Sequence, residues 1–158
     1  MRKLFIILAI VLSFNSEAVE PARADAQSQY DNLLAYYFAA ARTGDEQVIQ
    51  QFVTAGIPID SYNNKGYTAL MIATYHGHKN TVDSLLNLGA NACLEDNRGN
   101  TALMAAIFRG EFNIAKTLVS LDCDTQHANK AGQTAEQFAQ TFGQEKVLAL
   151  ISSIKSKD

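Results

Sequence analysis

The sequence has no basic excess: 13 lysines and arginines stand against 16 aspartates and glutamates, a formal net charge of −3. Nucleic-acid binding domains ordinarily carry a basic patch or a strongly basic balance, and neither is present. No run of like charges marks an acidic or basic tail. The N-terminal apolar run, Leu4 to Leu12, is nine residues long, where a membrane-spanning helix needs roughly 20. Nothing later in the chain is apolar for longer. Histidine is limited to three residues and cysteine to two. Cys, His and carboxylates show no zinc-like spacing. There is no nucleophile elbow, phosphate-binding glycine loop or zinc-protease motif. The carboxylate pairs Asp45-Glu46 and Glu95-Asp96 fall in exposed turns, where solvation accounts for them. No catalytic, cofactor-binding or metal site is therefore expected, and the chain does not read as an enzyme.

The first residues read as a secretory signal peptide. Arg2 and Lys3 precede the apolar run, the chain turns polar after Ser13, and Ala22, Ala24 and Ala26 offer small-x-small cleavage sites after Ala24 or Ala26. No cysteine near the end of the run could accept a lipid anchor. Cleavage after Ala24 removes three basic residues (Arg2, Lys3, Arg23) and two acidic ones (Glu17, Glu20), leaving 10 basic and 14 acidic side chains. The expected organisation is a leader over 1–24 and one domain over 25–158, exported, with the periplasm as the simplest destination and no membrane insertion after cleavage.

Internal self-similarity is strong. Gly66, Gly99 and Gly132 are 33 residues apart, as are Thr68, Thr101 and Thr134, and Ala69, Ala102 and Ala135. Gly44, Gly77, Gly110 and Gly143 keep the same step, and so do Ala40, Ala73, Ala106 and Ala139. The apolar columns share this phase: Ile49, Val82, Ala115 and Leu148; then Phe52, Leu85, Leu118 and Ile151; then Val53, Leu86 and Val119. Within a unit they fall at i, i+3 and i+4, one face of an amphipathic helix. A shorter helix precedes it, over about Thr68 to Tyr75 in the second unit, with Leu70 and Ala73 inward. The threonines stand where an N-cap hydroxyl accepts the first free N–H groups, and Gly77 and Gly110 stand where the first helix ends. Such a unit cannot bury its apolar face alone, so the units must stack.

The segment Gly66-Tyr67-Thr68-Ala69-Leu70-Met71-Ile72-Ala73-Thr74-Tyr75-His76-Gly77-His78, continued by Leu85-Leu86-Asn87-Leu88-Gly89-Ala90-Asn91, resembles the ankyrin repeat signature. Gly99-Asn100-Thr101-Ala102-Leu103-Met104-Ala105-Ala106 and Gly110 repeat it. The resemblance covers about Asn32 to Ile154. It departs from the usual pattern at Ala69 and Ala102 (usually proline) and at Met71 and Met104 (usually histidine). The first unit lacks the threonine motif and is expected to begin with a helix around Asp31 to Arg42. The fourth carries Glu136 and Gln137 where Leu and Met are usual. What the resemblance implies is an all-α ankyrin-repeat solenoid of about four helix-turn-helix units with connecting β-turn loops. Repeats fall at approximately 31–62, 63–95, 96–128 and 129–154, the outer two acting as polar caps. A histidine after the turn glycine is standard in the repeat, so His76-Gly77-His78 is expected to support a helix start rather than bind metal.

The same resemblance implies another protein as partner, docked on a concave face made of loop tips and the exposed ends of the first helices, by a chain that is monomeric alone. The tips correspond to Asn64, Lys65, Tyr67, Asn97, Arg98, Asn100, Lys130 and Gln133. The helix ends correspond to Tyr75, His76, Phe108, Arg109 and Phe142. Tyr, Phe and Arg are enriched at interface hot spots, yet rings in one column can equally stack on each other between repeats, and both readings stay open. Cys93 and Cys123 are also ambiguous. In an oxidising compartment a pair invites a disulfide, but Cys123 shares a column with Ala90 while Cys93 lies three residues further along its own loop. The resemblance implies adjacent repeats about 10 Å apart, and a bridge needs Cα atoms within roughly 7 Å, so the diagonal offset decides the matter. A buried small hydrophobe is the other reading of Cys123. The expected role is a non-catalytic binding module supporting a periplasmic stress-defence enzyme, which the resemblance suggests; the competing role is an inhibitor or immunity protein against a toxin or hydrolase.

Overall fold

The computed structural model describes residues 19–121, 123–124 and 126–155. Among them lie eight α-helices: α1 (Val19–Thr43), α2 (Glu46–Thr54), α3 (Ala69–Tyr75), α4 (Lys79–Asn87), α5 (Ala102–Arg109), α6 (Phe112–Val119), α7 (Ala135–Thr141) and α8 (Glu145–Lys155). Backbone packing divides the chain into two compact units, Met1–Ala35 and Tyr36–Asp158. The described part of the first is helical from Val19, with Gln27 Nε2 donating to Asp31 Oδ1 one turn on at 2.8 Å. The expected helix over Asp31–Arg42 is therefore longer. Alanine, glutamine and arginine are good helix formers, and Pro21 sits in the first turn, where its missing N–H is tolerated. Most of the expected leader, residues 1–18, lies outside the described residues; positions 19–26, with both cleavage sites, form the first turns of α1.

The second unit holds the repeats. First helices pack on first helices (α3 on α5, α5 on α7), second on second (α2 on α4, α4 on α6, α6 on α8), and the two helices of each of the last three repeats pack on each other. The period-33 columns form the seams. Ala73, Ala106 and Ala139 are fully buried, which lets the first helices approach closely. Ile49, Val82 and Ala115 are fully buried as well, followed by Leu85, Leu118 and Ile151. The last unit departs at one position: Leu148 is half-buried where the rest of its column is buried, while Val147 keeps the buried column of Thr81 and Ile114. Among the described residues α8 packs on α6 and α7, with no further repeat on its other side.

The threonine column caps the first helices as its position predicts. The Oγ1 atoms of Thr68, Thr101 and Thr134 accept from the backbone N–H of Met71, Met104 and Gln137 at 3.3, 3.5 and 3.3 Å, each cap contributing about 1 kcal/mol. Gln137, which departs from the family pattern, has a local purpose. Its Oε1 accepts from the Thr134 backbone N–H at 2.9 Å and completes a capping box.

Cys93 and Cys123 are joined in a disulfide, with their Cα atoms 5.4 Å apart. The three-residue diagonal offset brings the two loops together, where the spacing between repeat axes alone suggested a gap too wide to bridge. The bond spans the third repeat, tying the loop before α5 to the loop after α6.

Two buried polar groups in the core are handled differently. The Tyr37 hydroxyl donates to the Ile59 carbonyl at 2.9 Å, and burial, then the Asp60 carboxylate, push its pKa well above the ordinary phenol range. The Thr74 hydroxyl, in a fully buried residue, has no hydrogen-bond partner. A buried unpaired hydroxyl costs about 1–3 kcal/mol, and the next repeat places the apolar, fully buried Ile107 in the same column. Thr74→Val keeps the shape and the β-branching. It is expected to stabilise the protein by about 1 kcal/mol, raising Tm by a few degrees. A lowered Tm in thermal denaturation would mean that the hydroxyl is bonded in solution.

Candidate protein-binding surface

The loop tips are built by a further column that the sequence reading passed over: Asn63, Asp96 and Asn129, again 33 residues apart. In each, the side-chain Oδ1 accepts two backbone N–H groups across the turn. Asn63 takes Lys65 and Tyr67, both at 2.9 Å; Asp96 takes Arg98 at 2.8 Å and Asn100 at 2.9 Å; Asn129 takes Ala131 and Gln133, both at 3.0 Å. This is the Asx geometry that lets one side chain fix a tight turn. The same period that revealed the glycines could have found it.

The second and third of these tips are sewn together. Lys130 donates from its backbone N–H to the Arg98 carbonyl at 2.9 Å and from Nζ to the Asn97 carbonyl at 2.9 Å. Asn129 Nδ2 donates to Asn100 Oδ1 at 2.8 Å. Of the expected tip residues, Asn64, Lys65, Asn97, Arg98 and Lys130 are exposed, while Tyr67, Asn100 and Gln133 are half-buried within the turns. His127 Nε2 meets the Gly99 carbonyl at 2.9 Å, supporting the same tip from behind.

The ends of the first helices form a second row. Tyr75 and Phe108 lie nearly parallel (15°) with ring centroids 6.2 Å apart, and Phe108 meets Phe142 edge-on at 5.1 Å. Phe138, unremarked in the sequence, extends the row, its centroid 5.0 Å from that of Phe142. The Arg109 guanidinium lies 4.9 Å from the Tyr75 ring centroid, and its Nε donates to the Tyr75 carbonyl at 3.0 Å. The rings therefore do stack between repeats. They also remain open to solvent, at 44, 47 and 39% exposure for Tyr75, Phe108 and Phe142. Stacked aromatics that stay exposed are held in place before any partner arrives, which lowers the entropy lost on contact.

His76 and His78 divide their work. His78 Nε2 meets the Arg42 carbonyl at 2.8 Å, bracing one repeat on the one before it. His76 is exposed beside it, ring centroids 6.2 Å apart. Partial desolvation, then the charges of His78, Arg42 and Arg109, hold the His76 imidazole below its ordinary pKa. Among the described residues no three His, Cys, Asp or Glu side chains are grouped to hold a metal ion. A cavity of about 30 Å³, lined by Met104, Leu118, Val119, Cys123 and His127 among others, has room for about one water.

Stacked helix pairs joined by Asx-built tips, with rings carried on the first helices, define a repeat solenoid of the kind that binds other proteins. The ankyrin repeats family, described as three copies, matches residues 12–96, 36–129 and 88–158. The chain belongs to the ankyrin-repeat family, whose repeats are protein-interaction modules. It is 44% identical over 45 residues to an ankyrin repeat protein of Pseudomonas aeruginosa, covering 28% of this chain and 26% of that one. It is 43% identical over 56 residues to an ankyrin repeat, SAM and basic leucine zipper domain-containing protein of Echinops telfairi, covering 35% of this chain and 12% of the relative. An E3 ubiquitin-protein ligase of Oryza sativa subsp. japonica is 36% identical over 74 residues, 47% of this chain and 16% of its own length. The matches thus span about a quarter or less of each relative.

Proposed function

We propose that this protein is an exported, non-catalytic docking module that captures one partner protein on the row formed by Tyr75, Phe108, Arg109 and Phe142, flanked by the loop tips. The observation that carries the docking reading is the coincidence of order and exposure in these rings. Aromatic and arginine side chains dominate interface energetics where they are held rigidly, and Arg109 is held by both the face and the carbonyl of Tyr75.

Export is supported by the Cys93–Cys123 disulfide. Such bonds persist in oxidising compartments and are rare where thiol reductants dominate. Together with the leader-like start, it favours the periplasm. The client we propose is a stress-defence enzyme of that compartment, with a toxin or hydrolase held inactive as the competing identity. The two differ in what binding does to the captured protein's activity.

The test is capture from a periplasmic extract with the oxidised protein as bait, beside the Phe108→Ala/Arg109→Ala double variant. The wild type is expected to retain a single protein that the variant loses. Exposed ring contacts contribute about 1 kcal/mol, so the Tm of the variant should stay close to that of wild type. Equal capture by both baits would move the interface elsewhere, and a large loss of stability would make the pair structural. Fractionation of the source cells tests export separately: recovery of the uncleaved chain from the cytoplasm would refute it.

A further inference from the structure

Of the thirteen positions expected on the docking face, none is acidic and four (Lys65, Arg98, Arg109 and Lys130) are permanently cationic, on a chain whose net charge is −3. The face is therefore opposite in sign to the protein that carries it. Its tips hold one carboxylate, Asp96, and that group is occupied: Oδ1 accepts from two backbone N–H groups, and Oδ2 accepts from Asn100 Nδ2 at 3.2 Å. Arg42, one repeat before Tyr75 in the same column, adds a further exposed cation.

Lys79 pairs with Asp83, and His127 Nδ1 lies 3.5 Å from Glu95 Oε1; among the described residues no carboxylate lies within 4.0 Å of Arg42 or Arg109. Glu111 stands nearby, but its carboxylate lies against Gly77. A guanidinium presents five N–H donors in a planar fork. Arg109 uses its Nε on the Tyr75 carbonyl, which leaves the two terminal nitrogens free for the bidentate geometry that carboxylates favour. Tyr75, which carries the Arg109 guanidinium over its ring, stacks on Phe108, and Phe108 meets Phe142, so the fork is linked through Tyr75 to a run of exposed apolar surface.

We infer that the occupant of this face, given the docking reading above, is a segment of the partner protein in which carboxylates alternate with apolar side chains. One carboxylate pairs with the Arg109 fork, its apolar neighbours lie on Phe108 and Phe142, and further acidic residues face the cationic tips. The two rows are separated by one first helix of seven or eight residues, about 12 Å at 1.5 Å per residue, a span that four residues of extended chain cover.

The experiment is an amide chemical-shift titration of the full oxidised chain with a capped octapeptide of alternating glutamate and leucine, against the same peptide with glutamine for glutamate. Shifts are expected at Tyr75, Phe108, Arg109 and Phe142, with the glutamine peptide bound about fivefold to tenfold more weakly and the preference reduced by added salt. Arg109→Gln should remove the preference, and Arg109→Lys should retain only part of it, because the charge remains but the planar fork is lost. Equal binding of both peptides at these residues would overturn the acidic inference while leaving the docking surface standing. Shifts on another face, or none up to the peptide's solubility, would also overturn the acidic inference, and the capture experiment with Phe108→Ala/Arg109→Ala would then decide the docking reading separately.

Discussion

Reduction of the Cys93–Cys123 bond is expected to lower the stability of the protein by about 3–4 kcal/mol, the loop-closure value for a separation of this length. The two cysteines are 30 residues apart and bracket α5 and α6, so the bond closes a loop around the whole third repeat. In a solenoid, stability is a sum of repeat terms and nearest-neighbour interfaces, and repeats can come apart singly. A bond across one repeat restrains the unfolded forms of that repeat most strongly, so its loss should open the stack there. Cys93 is exposed, which gives a reductant access. Urea denaturation with and without reductant reads the change, and the Cys93→Ser/Cys123→Ser variant should match the reduced protein. A difference below about 1 kcal/mol would mean that the third repeat is held by its interfaces alone and that the bond restrains little.

How far the sequence foretold these features depends on whether a feature repeats. The helix pairs, the threonine caps and the buried alanines recur every 33 residues, and each recurrence confirms the others, so the solenoid was legible from columns alone. The Asx column Asn63, Asp96 and Asn129 was equally legible and was missed, because two different residue types fill it and its chemistry lies in Oδ1, which Asn and Asp share. Features that occur once were harder. The disulfide runs diagonally between columns, so register arithmetic pointed away from it. The partial exposure of Leu148 arises in the last described helix, which has a neighbouring repeat on one side only, and period gives no warning of that. For the surface, sequence placed Tyr75 and Phe108 in one column and Phe142 in the next, and could not decide between partner binding and stacking. The structure shows the stacking, and it still leaves 39 to 47% of each residue open to solvent, so stacking alone does not decide against binding.

Gly99→Ala and Gly132→Ala should have very different costs, although both glycines hold the same left-handed backbone at φ +77°. Any alanine in that conformation loses about 1–2 kcal/mol because its Cβ crowds the following carbonyl. At Gly132 nothing else lies within 4 Å of the added carbon, so the loss should stop there. At Gly99 the same carbon would sit 3.0 Å from the Lys130 backbone nitrogen and 3.1 Å from the Asn129 Cα. Those atoms belong to the next tip and are held by the Lys130 N–H to Arg98 carbonyl bond at 2.9 Å, so they cannot rotate away as a side chain could. Making room means separating two tips that the Asn129–Asn100 bond also joins. Overpacking of this kind adds about 1–3 kcal/mol, and Gly99→Ala is expected to exceed Gly132→Ala by that margin in urea denaturation. Equal losses would show that the tips are free to part, and the cationic row across Arg98 and Lys130 would then lack the rigidity that fast, specific docking requires.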